Sequence, residues 1–193
     1  MNHENDMNQQ DDFLALSDEN LLSQSDVHFY KSSGPGGQHR NKVSSAVRIR
    51  HRPTGVSAHG DDSRSQHDNK ALAIKRLRMN IACQCRRPLD AWLELAQGQL
   101  AALPQFVEEC TFVARGGDAK GKRRLEVGLR DGRFWHVASF VLDALDHFKG
   151  QLSSAAAHMG ISTGNLVSLL KSDRHLLAAA QDIRKAHGQK AMV

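Results

Sequence analysis

The sequence is poor in aromatic residues, cysteine and long apolar runs, and its first 30 residues hold no lysine or arginine. Aromatics make up 5% of the 193 residues. That is too few for base stacking on aromatic platforms to be the main mode of nucleic-acid binding. Three cysteines, an odd number, do not make a disulfide framework. Cys83 and Cys85 are two apart on an expected helix, where such positions do not face each other. No clustered histidine completes a metal-ligand set, so ordinary thiols are expected, with no metal and no other cofactor. No apolar run reaches the roughly 20 residues of a membrane-spanning helix. The N-terminus has neither the apolar core of a secretory signal nor the Arg-rich character of a transit peptide. A reduced, cytoplasmic protein without a membrane partner is expected.

What the chain does have is segregated charge. Seven acids (Glu4, Asp6, Asp11, Asp12, Asp18, Glu19, Asp26) fall in residues 1–30. The remaining 163 residues carry 26 Lys and Arg against 14 Asp and Glu, so the formal net charge of +5 conceals +12 over 31–193. Segment 31–80 alone holds 11 basic and 3 acidic residues. Such a balance favours a polyanion, with nucleic acid first among candidates.

Inside that segment, residues 34–42 read Gly-Pro-Gly-Gly-Gln-His-Arg-Asn-Lys. Adjacent glycines let a backbone adopt conformations closed to other residues and approach a ligand closely. Pro35 fixes its own φ and biases Gly34 toward extended geometry. Gln38 then brings a side-chain amide and a backbone N–H to the tip of a polar loop flanked by Lys31, Arg40 and Lys42. A backbone amide so placed can face an oxygen on which charge develops.

The run continues in order through Ser32-Ser33, Asn41 to Arg48, Pro53-Thr54-Gly55, Arg64-Ser65-Gln66 and Asn69-Lys70. Together these blocks, across about residues 26–87, resemble the catalytic domain of class I peptide chain release factors. The resemblance implies ribosome-dependent hydrolysis of the peptidyl-tRNA ester in the peptidyl transferase centre. It makes Gly36, Gly37 and Gln38 the catalytic residues. It also makes Gln38 a site of side-chain N-methylation by a glutamine methyltransferase, and the partners large-subunit ribosomal RNA and peptidyl-tRNA. Lys31, Arg40, Lys42, Arg48, Arg50, Arg64, Lys70 and Arg76 are the candidate RNA contacts, and phosphate contacts of this kind position without reading sequence. His39, one residue past the tip, is assigned a structural or RNA-contacting role.

Only about 25 residues precede the first expected strand, too few for the stop-codon recognition domain of codon-reading factors. The chain is therefore expected to act without a codon, as a monomer, and resembles the small ArfB/YaeJ-type rescue hydrolases. It departs from them at the C-terminus, where an ordered helix replaces a Lys/Arg-rich tail. On the residues alone, two other readings stay open: a non-catalytic RNA-binding protein anchored by the loop, and a DNA-binding regulator built on the C-terminal helices.

The expected fold is α+β: a small antiparallel or mixed sheet with one long packed helix, then a helical C-terminal domain. The expected divisions are a disordered acidic segment 1–16, a catalytic domain 17–103, a basic β-hairpin or linker 104–133, and a helix-turn-helix-like domain 134–193. Strands are expected over 26–31, 46–52 and 56–60, with Arg48, Arg50 and Arg52 on one face of the second. A helix over 65–87 buries Ile74, Leu77 and Ile81, and a second follows over 89–103. Two further strands are read over 107–114 and 123–130, joined by the basic link 115–122. From Phe134 an apolar stripe of Val137, Phe140, Val141, Ala144, Leu145 and Phe148 marks an amphipathic helix. Ala156, Gly160, Leu166 and Leu169 fit a helix-turn-helix, with Thr163, Asn165, Ser168 and Lys171 expected to be exposed. Asp173 caps a last helix that Gly188 stops.

Overall fold

The computed structural model describes residues 12–31, 44–92, 103–113 and 123–192. The chain divides into two units, Asp11–Cys85 and Arg86–Val193. The class is α+β: two small antiparallel sheets with seven helices among the described residues. The expected disordered N-terminus (apart from residues 12–16), the Gly-Gly-Gln loop, most of the helix expected over 89–103 and the link 115–122 lie outside the described residues.

The first unit opens with α1 (Asp18–Ser23), capped by Ser17, whose Oγ accepts from Asn20 N–H at 3.2 Å. Three strands follow, β1 (Ser25–Tyr30), β2 (Ala46–His51) and β3 (Ser57–Gly60), paired antiparallel in that order. The register sets Val27 opposite Ile49 and Ile49 opposite Ala58, while His28, Arg48 and His59 form the adjacent row. Because strand side chains alternate, Val27, Val47, Ile49 and Ala58 share the inner face, and Arg48 and Arg50 stand on the outer one. Gly55, with φ of 69°, makes the turn after Pro53, and its N–H donates to His51 O at 2.8 Å.

Across the inner face lies α2 (Gln66–Gln84), capped by Ser65 Oγ on Asp68 N–H at 3.2 Å. Its Ala73, Ile74, Leu77 and Ile81 pack with Leu21, Val47, Ile49, Val56 and Ala58 in one buried cluster. Truncating a core residue such as Leu77 to Ala would cost about 2–5 kcal/mol. The helix ends at Gln84, three residues short of the expected Arg87. Arg87 precedes Pro88, which disfavours helical geometry there, and its N–H is donated to Asp143 Oδ1 at 3.2 Å instead.

The second unit contains α3 (Gln105–Glu108), β4 (Thr111–Val113), β5 (Arg123–Leu125), α4 (Phe134–His147), α5 (Leu152–His158), α6 (Thr163–Leu170) and α7 (Arg174–Ala186). Of the two strands expected here, three residues each are seen among the described residues. The helical turn that Pro104 starts runs to Glu108 and takes the first two residues of the strand expected over 107–114, and a turn with Asp131 N–H on Gly128 O at 2.9 Å follows the second strand. The hairpin packs as part of this unit's core through Val107, Cys110 and Leu125. The far edge of β5 is closed by Asn165, whose Oδ1 accepts from Leu125 N–H at 2.8 Å and whose Nδ2 donates to Leu125 O at 3.0 Å. Asn165 is therefore buried, against the expectation that it lies exposed on α6.

The helix α4 is more enclosed than its stripe implies. Ser139, Leu142 and Asp143 are buried along with the apolar positions, so nearly every side of it from Val137 to Leu145 is covered. A helix covered all round is the centre of its unit. Ser162 caps α6, Asp173 caps α7 as expected, and Gly160 and Gly188 take the left-handed φ values of 64° and 69° that end the preceding helices.

Candidate catalytic loop and its stem

The Gly-Gly-Gln run sits in the connection between two paired strands, after Tyr30 of β1 and before Ala46 of β2. Gly36, Gly37, Gln38, Arg40 and Lys42 lie outside the described residues. The two chain segments that carry the loop are described, and each is tied down. On the ascending side, the Tyr30 hydroxyl is hydrogen-bonded to His59 Nδ1 at 3.1 Å across the outer face, with the rings edge-on. Partial burial, then Asp61, raises the Tyr30 pKa, while Arg48 acts in the opposite direction, so the phenol stays protonated and able to donate.

On the descending side, two side-chain amides from the first turn of α2 hold consecutive carbonyls. Gln66 Nε2 donates to Ser44 O at 3.1 Å, and Asn69 Nδ2 donates to Ser45 O at 2.8 Å. Asn69 also donates to Ser63 O at 2.8 Å and accepts from Ser63 N–H at 2.9 Å. It is wholly buried, at 0% exposure. Every polar atom of its side chain is thus used, as a buried amide requires.

The topology collects charge at this end of the sheet. β1 ends here, β2 begins here, β3 ends here and α2 begins here, so Lys31, Arg64 and Lys70 lie at the loop's end of the unit. Arg48 and Arg50 are exposed on the outer face beside His28 and His59. Among the described residues no ion pair involves Arg48, Arg50 or Arg64. Arg76 differs: its Nη2 meets Asp62 Oδ2 at 2.7 Å and its Nη1 donates to His59 O at 2.9 Å. At the opposite end, Arg52 pairs with Asp26 at 3.0 Å. His51 is buried there between Thr54 Oγ1 at 2.9 Å and Gln24 Oε1 at 3.2 Å. Among the described residues no group of three or more His, Cys, Asp or Glu could hold a metal ion. No helix among them is long and apolar enough to cross a membrane.

The Gly-Gly-Gln run is thus flanked by two paired strands with a basic end, each tied down on the side nearest the run. Residues 20–91 match the family model described as RF-1 domain. Peptide chain release factor 1 of Mesoplasma florum is 62% identical over 55 residues, which are 28% of this chain and 15% of that protein. Peptide chain release factor 1 of Rickettsia canadensis is 47% identical over 74 residues, 38% of this chain and 20% of that protein. Peptide chain release factor 2 of Helicobacter pylori is 50% identical over 62 residues, 31% and 17%. The chain thus spans between 15% and 20% of these relatives' own length. The RF-1 match runs from within α1 to just beyond Pro88, and so takes in the three-stranded sheet, the loop and the whole of α2.

Gln66, Asn69 and Lys70 belong to the blocks that carry the release-factor resemblance, but Gln66 and Asn69 are not among the expected site residues. The available signal was an Asn four residues after a helix-capping Ser, on the same side as the buried Ala73. A polar residue there needs a partner from outside its helix.

Proposed function

We propose that this protein hydrolyses the peptidyl-tRNA ester on the ribosome and releases the nascent chain without a codon. The observation that carries this is the intact Gly36-Gly37-Gln38 run in the β1–β2 connection of a region that matches the RF-1 domain. The codon-independent part rests on the resemblance to the small rescue hydrolases. In the reaction, a water oxygen bonds to the ester carbonyl carbon and the carbonyl oxygen becomes an oxyanion. The bond from carbon to the ribose oxygen then breaks, and that oxygen takes a proton. The products are a free peptide carboxyl and deacylated tRNA. The backbone N–H of Gln38 supplies a donor to the developing charge, Gly36 and Gly37 permit its approach, and the Gln38 side chain shapes the pocket that admits water. Lys31, Arg40, Lys42, Arg48, Arg50, Arg64, Lys70 and Arg76 face ribosomal RNA phosphates. Arg76 does so with a guanidinium already engaged by Asp62.

The test is peptide release from purified ribosomes carrying peptidyl-tRNA, on a truncated message, on an intact sense codon and on isolated large subunits. Gln38→Pro removes the backbone donor and is expected to slow release by about 10²–10³-fold, the usual cost of one such donor. Gln38→Ala keeps the donor and is expected to lose less. Release by wild type that Gln38→Pro leaves unchanged would overturn the mechanism. Ribosome binding without release on any of the three would make the protein a non-catalytic RNA binder. Mass spectrometry of the peptide containing Gln38 tests for the added methyl group.

A further inference from the structure

We propose that Gln66 and Asn69 form a clamp that sets the direction of the descending stem of the loop, and that they act as positioning residues for peptide release. The inference rests on the function proposed above. Its basis is geometric. Two amides one helical turn apart on α2 donate to two successive carbonyls, Ser44 O and Ser45 O, at 3.1 and 2.8 Å. Ser44 is six residues beyond Gln38 in the chain. These two carbonyls lie just outside the ladder of β2, which begins at Ala46, so the sheet itself does not hold them.

The clamp is rigid because its base is rigid. Asn69 is fully buried, and its two bonds to Ser63 lock the turn that leads into α2. β3 approaches the helix so closely at this point that Gly60 leaves no room for a Cβ against the Asn69 carbonyl. Gln66, by contrast, is exposed. A single-hydrogen-bond grip by an exposed side chain adds little to folding, yet it points at the segment that bears the loop. A loop entering a reaction centre must hold its reacting groups to within fractions of an ångström, and small misplacement is costly in rate. Fixing Ser44 and Ser45 removes rotational freedom from the described chain that follows Gln38.

The experiment separates the clamp from the fold and from ribosome affinity. Single-turnover release is measured against factor concentration for wild type, Gln66→Ala, Gln66→Glu and Asn69→Ala. Gln66→Glu keeps the size and loses the donor. The maximal rate of both Gln66 variants is expected to fall about tenfold, the equivalent of one hydrogen bond. Their half-saturating concentrations and melting temperatures are expected to stay at wild-type values. Asn69→Ala is expected to lose more and to melt lower. Unchanged maximal rates in the Gln66 variants would overturn the clamp. A raised half-saturating concentration alone would also overturn it, by making Gln66 a ribosome contact. Hydrogen exchange of a peptide spanning 44–49 in the free protein gives a readout independent of release. Faster exchange in Gln66→Ala supports the clamp, and unchanged exchange overturns it. A wild type inert on every ribosome, with that exchange difference present, would remove the proposed reaction and leave the clamp standing.

Discussion

Replacing Gly60 by Ala tests whether the sheet and α2 must meet as closely as they do. An ideal Cβ at Gly60 would overlap Asn69 O, lie 2.8 Å from the Asn69 carbonyl carbon and 3.1 Å from Ala73 N. All three are main-chain atoms of α2, so no side chain can swing aside. Relieving the overlap requires β3 and the helix to separate by about 1 Å or more, given ordinary contact distances near 3.5 Å. That movement loosens the packing of Ala58 against Ala73, Ile74 and Leu77 and pulls Asn69 from Ser45 and Ser63. Overpacking usually costs about 1–3 kcal/mol, and a main-chain obstacle puts this case at about 3 kcal/mol or above. Gly55→Ala supplies the contrast. Nothing lies within 4 Å of its Cβ position, and its cost is the left-handed φ of 69° alone, about 1–2 kcal/mol. A chain of two units need not melt in one step, so the assay is hydrogen exchange of α2 peptides in rising urea, which reads local opening free energy. A loss of protection in Gly60→Ala no larger than in Gly55→Ala would refute the reasoning.

Further outcomes follow from two buried ionisable groups. Burial, then Arg52, holds the His51 pKa below its ordinary value, so the folded chain binds this proton less readily than the unfolded chain. Stability from His51 is therefore full above about pH 6.5 and is lost as pH falls through the ordinary range toward the depressed value. Exchange protection of β2 should drop between about pH 7.5 and about pH 5.5 and do so less in His51→Gln; equal slopes would refute it. In the second unit, Asp143 accepts from Trp92 Nε1–H at 3.0 Å, Arg86 Nη1 at 3.0 Å and Arg87 N–H at 3.2 Å. Burial dominates these bonds and raises its pKa to about 6. The linked stability is full below the ordinary carboxylate range and declines as pH rises through about 6. His158, lowered by burial and by His147, slopes the other way in the same unit, so the comparison must be made against Asp143→Asn. Asp143→Ala strands three donors and is expected to cost about 3–5 kcal/mol, read by urea unfolding through tryptophan fluorescence. A cost under about 1 kcal/mol would show that Asp143 is not the staple of this unit.

What could be read from the sequence was what obeys a period. The alternation of Val47, Ile49 and His51 against Arg48 and Arg50 gives β2 and its basic outer face. The spacing of Ile74, Leu77 and Ile81 gives α2 and its buried stripe. The α4 stripe gave a helix but understated its burial, because Ser139 and Asp143 read as the solvent side of an amphipathic pattern. They are covered, and Asp143 is there to hold Trp92 and the chain at Arg86 and Arg87. The hairpin was overextended because Val127 and Leu129 keep the alternation after the ladder has stopped at Leu125. Periodicity reports a residue's own element and is silent about which distant backbone it serves.

Asn69, which holds the stem of the candidate site, falls in that silent class together with Asn165 and Asp143 of the second unit. Asn69, Asn165 and Asp143 are all buried polar groups on helices, and each receives or supplies bonds to main chain that no regular element satisfies: Ser45 and Ser63, Leu125, and Arg87. A buried polar side chain left without partners costs more than its hydrogen bonds return. Each of these positions is therefore tolerable only because main chain outside its own helix needs it there, an irregular segment for Asn69 and Asp143 and a strand edge for Asn165. A polar residue interrupting an apolar helix face thus points to distant main chain being held, although sequence alone does not say which. For Asn69 the segment held is the one that leads back from Gly36-Gly37-Gln38. The polar interruption nearest the start of α2 is consequently the one tied to the chemistry, while Asn165 and Asp143 serve the architecture of their own unit.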